Sequence, residues 1–302
     1  MIYTITLNPS LDYFAMTDEI RAGRTNRTRD EYIVPGGKGL NVSMVLSRLG
    51  TKSTAIAFAA GFTGRELRRL LTEEQVDTEL IDAGAGITRI NIKINTGEIT
   101  EFNGAGIRLS EELCGRLKKR LSGLSGEDLV ILSGSIPAGA ENTLYRDLMA
   151  ATPARVVLDT YGEALTAALS ERPFLIKPNE EEIAAFAGHP VETEEELYRE
   201  MKKLQERGAV NVMVSLGKDG AVLLTADGGF FRSAVPKVPP GRPFNTVAAG
   251  DSMIAGFLHA YHETRDPEKA LAFSAAAGTA AAYSEWLPER DFILALYAHT
   301  FG

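Results

Sequence analysis

The sequence is poor in the residues that build disulfide frameworks and zinc centres. It contains one cysteine, Cys114, and four histidines among 302 residues. A single cysteine excludes an internal disulfide and a cysteine-rich zinc site. His259 and His262 would share one helical face, but no third ligand lies near them in the sequence. We therefore expect no metal site built from thiolates or imidazoles.

Long hydrophobic runs and an excess of positive charge are also missing. No stretch reaches the ~18 apolar residues of a membrane-spanning helix, and the strand pattern at residues 2–7 has no basic leader before it. The net charge of −8 argues against nucleic acid as the main partner. We expect a cytoplasmic protein without a nucleic-acid or membrane partner, in which local basic groups hold any anionic substrate.

Short apolar runs alternate with helical patterns, of which one follows a predicted cap at Ser110 and another the capping box Thr193/Glu196. This alternation predicts one α/β domain over residues 1–302, with a mostly parallel, doubly wound sheet. Ligands of such sheets bind at the carboxyl ends of the strands. The predicted strands are residues 2–7, 54–58, 129–132, 156–158, 174–176, 212–215 and 221–224.

Two segments, at about residues 12–35 and 88–103, do not fit the alternation and look like short polar–apolar strands. In the second, Ile90, Ile92 and Ile94 share one predicted face. We predict that the two segments pair into a small separate sheet, called the lid here. A sheet of this size buries little by itself, so it should cover the active site or pack against a second subunit.

Residues 245–253, N-T-V-A-A-G-D-S-M, combine a turn of small residues, a carboxylate and a helix predicted to begin near Ala249. The free N–H groups and positive dipole end of a helix start suit a phosphate. Asp251, in the first turn, would lie where a hydroxyl attacks that phosphate. This is the geometry of a small-molecule kinase; the alternative is that Asp251 only stabilises the helix dipole.

Residues 35–41, P-G-G-K-G-L-N, join a strand pattern to a helix predicted to begin near Asn41. Gly36 and Gly37 let a ligand approach the backbone, Lys38 supplies a positive charge and Asn41 an amide. The spacing matches neither a Walker loop nor a dinucleotide-binding turn, so a nucleotide is not expected at this site. The alternative is an ordinary glycine-rich turn.

Further polar residues are candidates for substrate and metal binding. Asp12 would accept hydrogen bonds from sugar hydroxyls, or would stabilise a turn. Asn179 and Glu182, at a predicted helix start, would hold a hydrated Mg²⁺, or would belong to a solvated first turn. Arg89 and Arg27 in the lid are candidates for a substrate phosphate, or are solvated.

Taken in order, these segments resemble the ribokinase-like carbohydrate kinases of the phosphofructokinase B group, over essentially the whole chain. Residues 36–42, G-G-K-G-L-N-V, and 248–252, A-A-G-D-S, are similar to the two signatures of the group. The 1-phosphofructokinase branch is most similar, through T-L-N-P-S-L-D at 6–12, T-R-I-N-I-K at 88–93, E-F-N-G-A-G at 101–106, L-S-G-S-I-P at 132–137 and K-P-N-E-E-E at 177–182.

The resemblance implies a three-layer α/β/α sandwich with a β-sheet lid. It also implies ATP-dependent phosphorylation of fructose 1-phosphate at the 6-hydroxyl, giving fructose 1,6-bisphosphate. Tagatose-6-phosphate kinase and 6-phosphofructokinase are the alternatives inside the group, and a non-catalytic sugar-phosphate sensor is the alternative outside it. The lid would close on the substrate and join two subunits as a homodimer.

The resemblance further implies site residues. Asp251 would be the general base, and the backbone N–H groups of Ala249, Gly250 and Asp251, next to Ala248 in the same catalytic turn, would form the anion hole for the transferred phosphoryl group. The sugar phosphate would be held by Asp12, Gly36, Gly37, Lys38, Asn41, Arg89, Ser135 and Arg27. ATP would be held by Lys177, Asn179, Ser215, Gly217, Gly220, Ala275 and Thr279, and Mg²⁺ by Asn179 and Glu182.

Two residues depart from the pattern of the group. Ala248 replaces the first glycine of the second signature, and its Cβ suits the turn only where φ is negative. Trp286 stands where relatives have a small residue, which counts against a monovalent-cation site around Asn245, Val247 and Ser284. Neither departure removes a catalytic group.

Overall fold

The computed structural model of the protein describes residues 1–242 and 244–302. The strands are β1 (Ile2–Thr6), β2 (Ser10–Met16), β3 (Asp30–Gly36), β4 (Ser53–Ala59), β5 (Asp77–Asp82), β6 (Arg89–Asn95), β7 (Ile99–Asn103), β8 (Leu129–Ser133), β9 (Arg155–Asp159), β10 (Leu175–Ile176), β11 (Asn211–Ser215), β12 (Ala221–Leu224) and β13 (Phe230–Ser233). The helices are α1 (Lys38–Leu49), α2 (Gly61–Glu73), α3 (Glu111–Ser122), α4 (Leu144–Ala150), α5 (Gly162–Ala168), α6 (Glu180–Ala187), α7 (Glu194–Glu206), α8 (Ala249–Thr264), α9 (Pro267–Ala282) and α10 (Arg290–Phe301). None of these helices is long and apolar enough to cross a membrane.

Nine strands form the large sheet, in the order β13-β12-β11-β10-β9-β8-β1-β4-β5. The neighbours from β11 to β5 run parallel, whereas β12 pairs antiparallel with both β11 and β13. One apolar core joins the sheet to α1, α2, α8, α9 and α10, and a second joins its other face to α3 through α7. The predicted three-layer α/β/α sandwich with a mostly parallel sheet is confirmed.

All seven predicted strands are present, within one or two residues of their predicted bounds. The sequence did not predict β5 and β13, which are the two edges of the large sheet. Both are partly exposed, since β5 has no fully buried residue and β13 has only Ser233 buried. Edge strands bury one side only, so they lack the continuous apolar run that identifies the central strands.

Helix starts follow the predicted caps, with one correction. The hydroxyl of Ser110 accepts from the amide of Leu113, and Thr193 and Glu196 form a capping box. α8 begins at Ala249, as predicted. α1 begins at Lys38 and not near Asn41, because Gly37 at φ 124° ends the preceding strand and its carbonyl accepts from the Asn41 amide at 2.9 Å.

The second sheet has the order β3-β2-β6-β7 and is formed by the two segments predicted to pair. Asp12 and Asn91 are register partners on one face, where the Asn91 amide donates to the Asp12 carboxylate at 2.9 Å. Ile92 lies on the other face and is 41 % exposed. The predicted separation of polar and apolar faces in β6 is therefore confirmed, with the apolar face turned to solvent.

Candidate active site

A cavity of about 810 Å³ opens at the carboxyl ends of β9, β10 and β11, beside the starts of α1 and α8. This is the edge at which parallel α/β sheets bind ligands. Many of the residues predicted from the sequence line it. They are Lys38, Lys177, Asn179, Glu182, Ser215, Gly217, Gly220, Ala248, Ala249, Gly250, Asp251, Ala275 and Thr279.

The carboxylate of Asp251 lies in the first turn of α8 and is 4 % exposed. The side-chain amide of Asn41, from the first turn of α1, donates to it at 2.8 Å. Burial and the charge of Asp159 raise the pKa of Asp251 to about 6, although Lys38, Asn41 and Lys177 act in the opposite direction. A carboxylate in this range accepts a proton readily near neutral pH, as a general base must.

A second buried carboxylate, that of Asp159 at the end of β9, has the opposite environment. It lies 3.0 Å from the ammonium of Lys38 and 3.4 Å from that of Lys177. Burial favours its neutral form, but the two lysines outweigh burial and lower its pKa. Burial also lowers the pKa of Lys38, yet Asp159 and Asp251 raise it above its usual value. Asp159 therefore stays ionised and orients both lysines.

The start of α8 presents free amides to the cavity. The amides of Gly250 and Asp251 have no hydrogen-bond partner within residues 1–242 and 244–302. A Cβ added at Gly250 would lie 3.0 Å from the Lys177 ammonium, so the lysine packs directly against this helix start. The two positive ends therefore lie side by side and together favour an anion in the adjoining cavity.

Two details of this helix start differ from the sequence-based expectations. The amide of Ala249 donates to the carbonyl of Thr246 at 3.2 Å, because the turn closes on itself, and is not free for an anion. Ala248 has φ 60° and ψ 6°, so the negative φ that its Cβ requires is not adopted. A left-handed alanine costs about 1–2 kcal/mol relative to the ordinary helical region. The surrounding loop and α8 must supply that energy.

Asn179 and Glu182 bind each other at the start of α6. The Asn179 side chain accepts from the Glu182 amide at 2.8 Å, and the Glu182 carboxylate accepts from the Asn179 amide at 2.9 Å. This capping box uses the side-chain oxygen of Asn179 and one carboxylate oxygen of Glu182. The second carboxylate oxygen of Glu182 takes no part in it. No three histidine, cysteine, aspartate or glutamate side chains converge as a metal-binding group among the described residues.

A polar network lies on the inward face of the lid, outside the cavity lining. Asp12 accepts from Ser10 at 2.6 Å and from Asn91 at 2.9 Å. A Cβ at Gly36 would come within 2.4 Å of the Ser10 hydroxyl and 2.5 Å of the Asp12 carboxylate, so only glycine fits. Lys93 is 4 % exposed and donates to Glu101 at 2.6 Å.

The remaining predicted substrate residues are Arg89, Ser135 and Arg27, and in the part of the chain that the structure describes only Arg89 lies beside another predicted site residue. Arg89, at the start of β6, donates to the Gly104 carbonyl at 3.4 Å, while its buried Nε has no partner among the described residues. Burial lowers the pKa of Arg89, although Asp12 raises it. Ser135 and Arg27 are exposed and do not line the cavity. The structure thus brings Arg89 to Asp12, but not Arg27 or Ser135 to either group.

The predicted cation-site residues make local contacts. The Asn245 side chain accepts from the Val247 amide at 3.0 Å, and the Ser284 hydroxyl donates to the Ala280 carbonyl at 2.8 Å. The guanidinium of Arg48 stacks over Trp286 at 5.2 Å.

Sequence reasoning missed Asp159 and Phe244. Asp159 is the last residue of the buried strand β9, and the signal that would have identified it is a charged residue at the carboxyl end of a parallel strand. Phe244 is a cavity-lining aromatic residue in a proline-rich loop, where no periodic pattern applies.

Comparison with known proteins agrees with this geometry. The family model of the pfkB family carbohydrate kinases matches residues 6–285. The chain is 40% identical to a 1-phosphofructokinase of Bacillus subtilis over 296 residues, which cover 97% of the chain and 96% of the relative. It is 36% identical to a D-tagatose-1-phosphate kinase of Bacillus licheniformis, over 95% of the chain and 94% of the relative.

Solved structures are similar over almost the full length. The tetrameric inhibited form of phosphofructokinase-2 from Escherichia coli superposes with a TM-score of 0.90 at 31% identity, over 99% of this chain and 98% of that one. The ribokinase of Arabidopsis thaliana superposes with a TM-score of 0.75 at 19% identity, over 98% of each chain. At that identity the second likeness concerns the fold, which is ribokinase-like.

Proposed function

This chain belongs to the pfkB family of carbohydrate kinases, and we propose that it transfers the γ-phosphate of ATP to the 6-hydroxyl of fructose 1-phosphate, giving fructose 1,6-bisphosphate. The substrate assignment is supported by the 40% identity to a 1-phosphofructokinase along nearly the whole chain. The observation that carries the mechanism is the position of Asp251, a buried carboxylate in the first turn of a helix whose amides face the same cavity.

In the proposed mechanism, Asp251 takes the proton of the sugar hydroxyl as that hydroxyl oxygen bonds to the γ-phosphorus of ATP, and the bond from this phosphorus to its bridging oxygen breaks to release ADP. Asn41 fixes the carboxylate through its 2.8 Å hydrogen bond, so the base is oriented before the substrate binds. The amides of Gly250 and Asp251, with the Lys177 ammonium, stabilise negative charge on the transferred phosphoryl group. The ammonium of Lys38 is held by Asp159 and binds the sugar phosphate.

A carbohydrate kinase uses ATP and a divalent metal ion, and we propose Mg²⁺. When bound, the ion neutralises charge on the β- and γ-phosphates. Asn179 and Glu182 would hold it through water, since their capping box leaves a free oxygen on Glu182. This donor set fits an ion that arrives on the triphosphate, because Mg²⁺ keeps several waters and needs few protein carboxylates. Ser215, Gly217 and Gly220 would line the nucleotide.

The sugar phosphate is assigned to the inward face of the lid. Asp12 would bind ring hydroxyls, with Gly36 and Gly37 giving the sugar access to the backbone. Arg89 is suited to the phosphate because its buried Nε lacks a partner and it forms no ion pair with a carboxylate within the described residues. Ser135 and Arg27 remain predictions, and would reach the substrate only after the lid closes.

The outer face of the lid supports the proposed homodimer. Tyr13 pairs in register with Ile33 and Ile92, and Ile92 with Phe102, so one row of apolar side chains crosses all four strands. Ile33, Ile92 and Phe102 are 43 %, 41 % and 57 % exposed. A second copy of this face would bury the row. The cytoplasmic location also remains a prediction.

A second candidate substrate is tagatose 1-phosphate, favoured by the 36% identity to a D-tagatose-1-phosphate kinase. Fructose 1-phosphate and tagatose 1-phosphate differ only in configuration at one carbon. Small displacements of the bound sugar decide how well its hydroxyl reaches Asp251. Tagatose 6-phosphate and fructose 6-phosphate are the further alternatives. A sugar whose phosphate is bound differently would present a different hydroxyl to Asp251.

The substrate is tested by an ADP-release assay with purified protein and Mg-ATP. Fructose 1-phosphate, tagatose 1-phosphate, fructose 6-phosphate and tagatose 6-phosphate are compared by kcat/KM. We expect the highest value for fructose 1-phosphate. A higher value for another sugar reassigns the substrate within the family, whereas no turnover with any of them contradicts the proposed reaction and favours a sugar-phosphate sensor.

The base is tested by Asp251→Asn. We expect turnover to fall at least ~100-fold with sugar-phosphate binding largely kept, since a positioned general base contributes about 10²–10⁴ in rate. Turnover close to that of the wild type would show that Asp251 is not the base.

A further inference from the structure

Phe244 lies in the loop between β13 and α8, and its ring is 68 % exposed although it lines the cavity. This is the largest exposed fraction among the exposed large apolar side chains of the described residues. A phenyl ring at the wall of a ligand cavity gains its burial from the ligand rather than from the protein.

The ring is held in place before any ligand binds. The Tyr283 ring meets it edge-on, with centroids 5.3 Å apart and planes at 62°. The next residue, Asn245, donates its amide to the carbonyl of Ala282 at 2.8 Å. On the other side, the guanidinium of Arg242 stacks on Phe292 at 3.6 Å. Phe244 and Asn245 are therefore held against the end of α9, and Arg242 against α10.

The two ends of the cavity differ in chemistry. At one end the ammonium groups of Lys38 and Lys177 meet the start of α8. Val235, Ala282 and the rings of Phe244 and Tyr283 contribute an apolar part of the lining elsewhere. A nucleotide has the same division, because its phosphates are anionic and its base is a flat, largely apolar ring.

We propose that the base of the bound nucleotide stacks on the face of Phe244, which makes this side chain a determinant of nucleotide affinity. The inference rests on the proposed function, since it assigns the base end of the same nucleotide site. Tyr283, which contacts the ring, also lines this cavity, as do Thr246 and Thr279.

The test compares ADP with inorganic tripolyphosphate, which has the charge but no base. Binding of each to wild type and to Phe244→Ala is measured by titration calorimetry in the presence of Mg²⁺. We expect Phe244→Ala to weaken ADP binding on the order of 10-fold, as loss of one base–aromatic stack does. Tripolyphosphate binding should not change. The matched control is Phe62→Ala, because Phe62 is 60 % exposed and does not line the cavity.

A second variant tests the contact without removing the ring. In Phe244→Trp, the new indole should be quenched by ADP or GDP and not by tripolyphosphate, while wild type with its single Trp286 gives the background. Equal losses of ADP and tripolyphosphate binding in Phe244→Ala, or unchanged ADP affinity, would overturn the stacking role and leave the kinase proposal intact. Failure of the wild type to bind ADP would overturn both.

Discussion

Asn41 and Asp251, which are 210 positions apart in the chain, join the first turns of two helices through one 2.8 Å hydrogen bond. The amide of Asn41 donates, so it stabilises the ionised carboxylate against the burial that raises the pKa of Asp251 to about 6. The same bond therefore positions the proposed base and keeps it deprotonated at neutral pH.

The first prediction concerns the pH dependence of Asn41→Ala. A base must be ionised to act, so kcat/KM of the wild type should fall as pH drops through about 6. Loss of the donated hydrogen bond disfavours the ionised form, so this fall should begin at higher pH in Asn41→Ala. The substitution should therefore lower activity at pH 6 by a factor on the order of 10 greater than the factor by which it lowers activity at pH 8.

The readout of that experiment is the difference between the two profiles measured with one substrate. The substrate phosphate itself titrates near pH 6, and this contribution is common to both proteins. Two profiles that run parallel would show that Asn41 does not act on the ionisation of the base.

The second prediction concerns the stability of Asp251→Asn. The folded-state pKa of Asp251 is raised from 3.8 to about 6, so the native state binds more protons than the unfolded state between these values. Ionised Asp251 consequently destabilises the fold as pH rises, and at 1.4 kcal/mol per pKa unit the cost is about 2–3 kcal/mol at pH 7.5. Asp251→Asn should raise the free energy of unfolding by this order.

Urea unfolding of both proteins at pH 7.5 and pH 4 checks this sign. The difference should be large at pH 7.5 and nearly absent at pH 4, where wild-type Asp251 is protonated in the folded state and half protonated in the unfolded state. A variant that is less stable than wild type at pH 7.5 would contradict a strained, buried carboxylate.

The third prediction concerns Arg89→Ala. If the guanidinium binds the sugar phosphate, its loss removes hydrogen bonds to a charged group, worth ~1.5–3 kcal/mol. KM for the sugar phosphate should rise ~10- to 150-fold while kcat changes little. Arg68→Ala, on the exposed side of α2, is the control. An unchanged KM would make Arg89 a structural residue of the lid.

The fourth prediction concerns Ile92→Asp on the apolar row of the lid. A carboxylate in the centre of the proposed interface would be desolvated without a partner, so association should weaken. Sedimentation velocity should show the wild type as a dimer or larger, and the variant shifted toward the monomer. Phe62→Asp, at an exposed apolar position outside the row, should leave the distribution unchanged. A wild type that is monomeric at micromolar concentration would contradict the interface.

The fifth prediction concerns Ala248→Gly. Glycine relieves the left-handed strain at φ 60°, worth about 1–2 kcal/mol, but gives back about 0.4–1 kcal/mol through the more flexible unfolded chain. The free energy of unfolding should therefore rise by up to about 1.5 kcal/mol, with turnover retained. A clear loss of stability would show that the alanine methyl group packs favourably in the turn.

Much of this architecture could be predicted from local pattern, and the exceptions have physical causes. Central strands such as Leu129–Ser133 are buried on both faces and appear as apolar runs, whereas the edge strand Asp77–Asp82 does not. Asp251 and Lys38 were identified because small residues and glycines surround them in the sequence. Asp159 was missed because its importance comes from two lysines that only the folded chain brings to it.

The backbone conformation of Ala248 also lay beyond the sequence. Whether an alanine adopts a positive φ depends on how tightly the flanking helix and loop are held, which is a property of tertiary packing. The capping box of Asn179 and Glu182 shows the reverse case, since its spacing is visible in the sequence but was interpreted as a metal site or a solvated first turn.

The two faces of the lid carry different side chains, and this limits where the lid can accept insertions and deletions. Asn91 and Ile92 are adjacent in β6, yet one donates to Asp12 and the other lies in the apolar row. A slip of one residue along the strand would turn every side chain to the opposite face. Length changes in β2 or β6 should therefore abolish substrate binding and subunit association together, while the connection at residues 96–98 tolerates them.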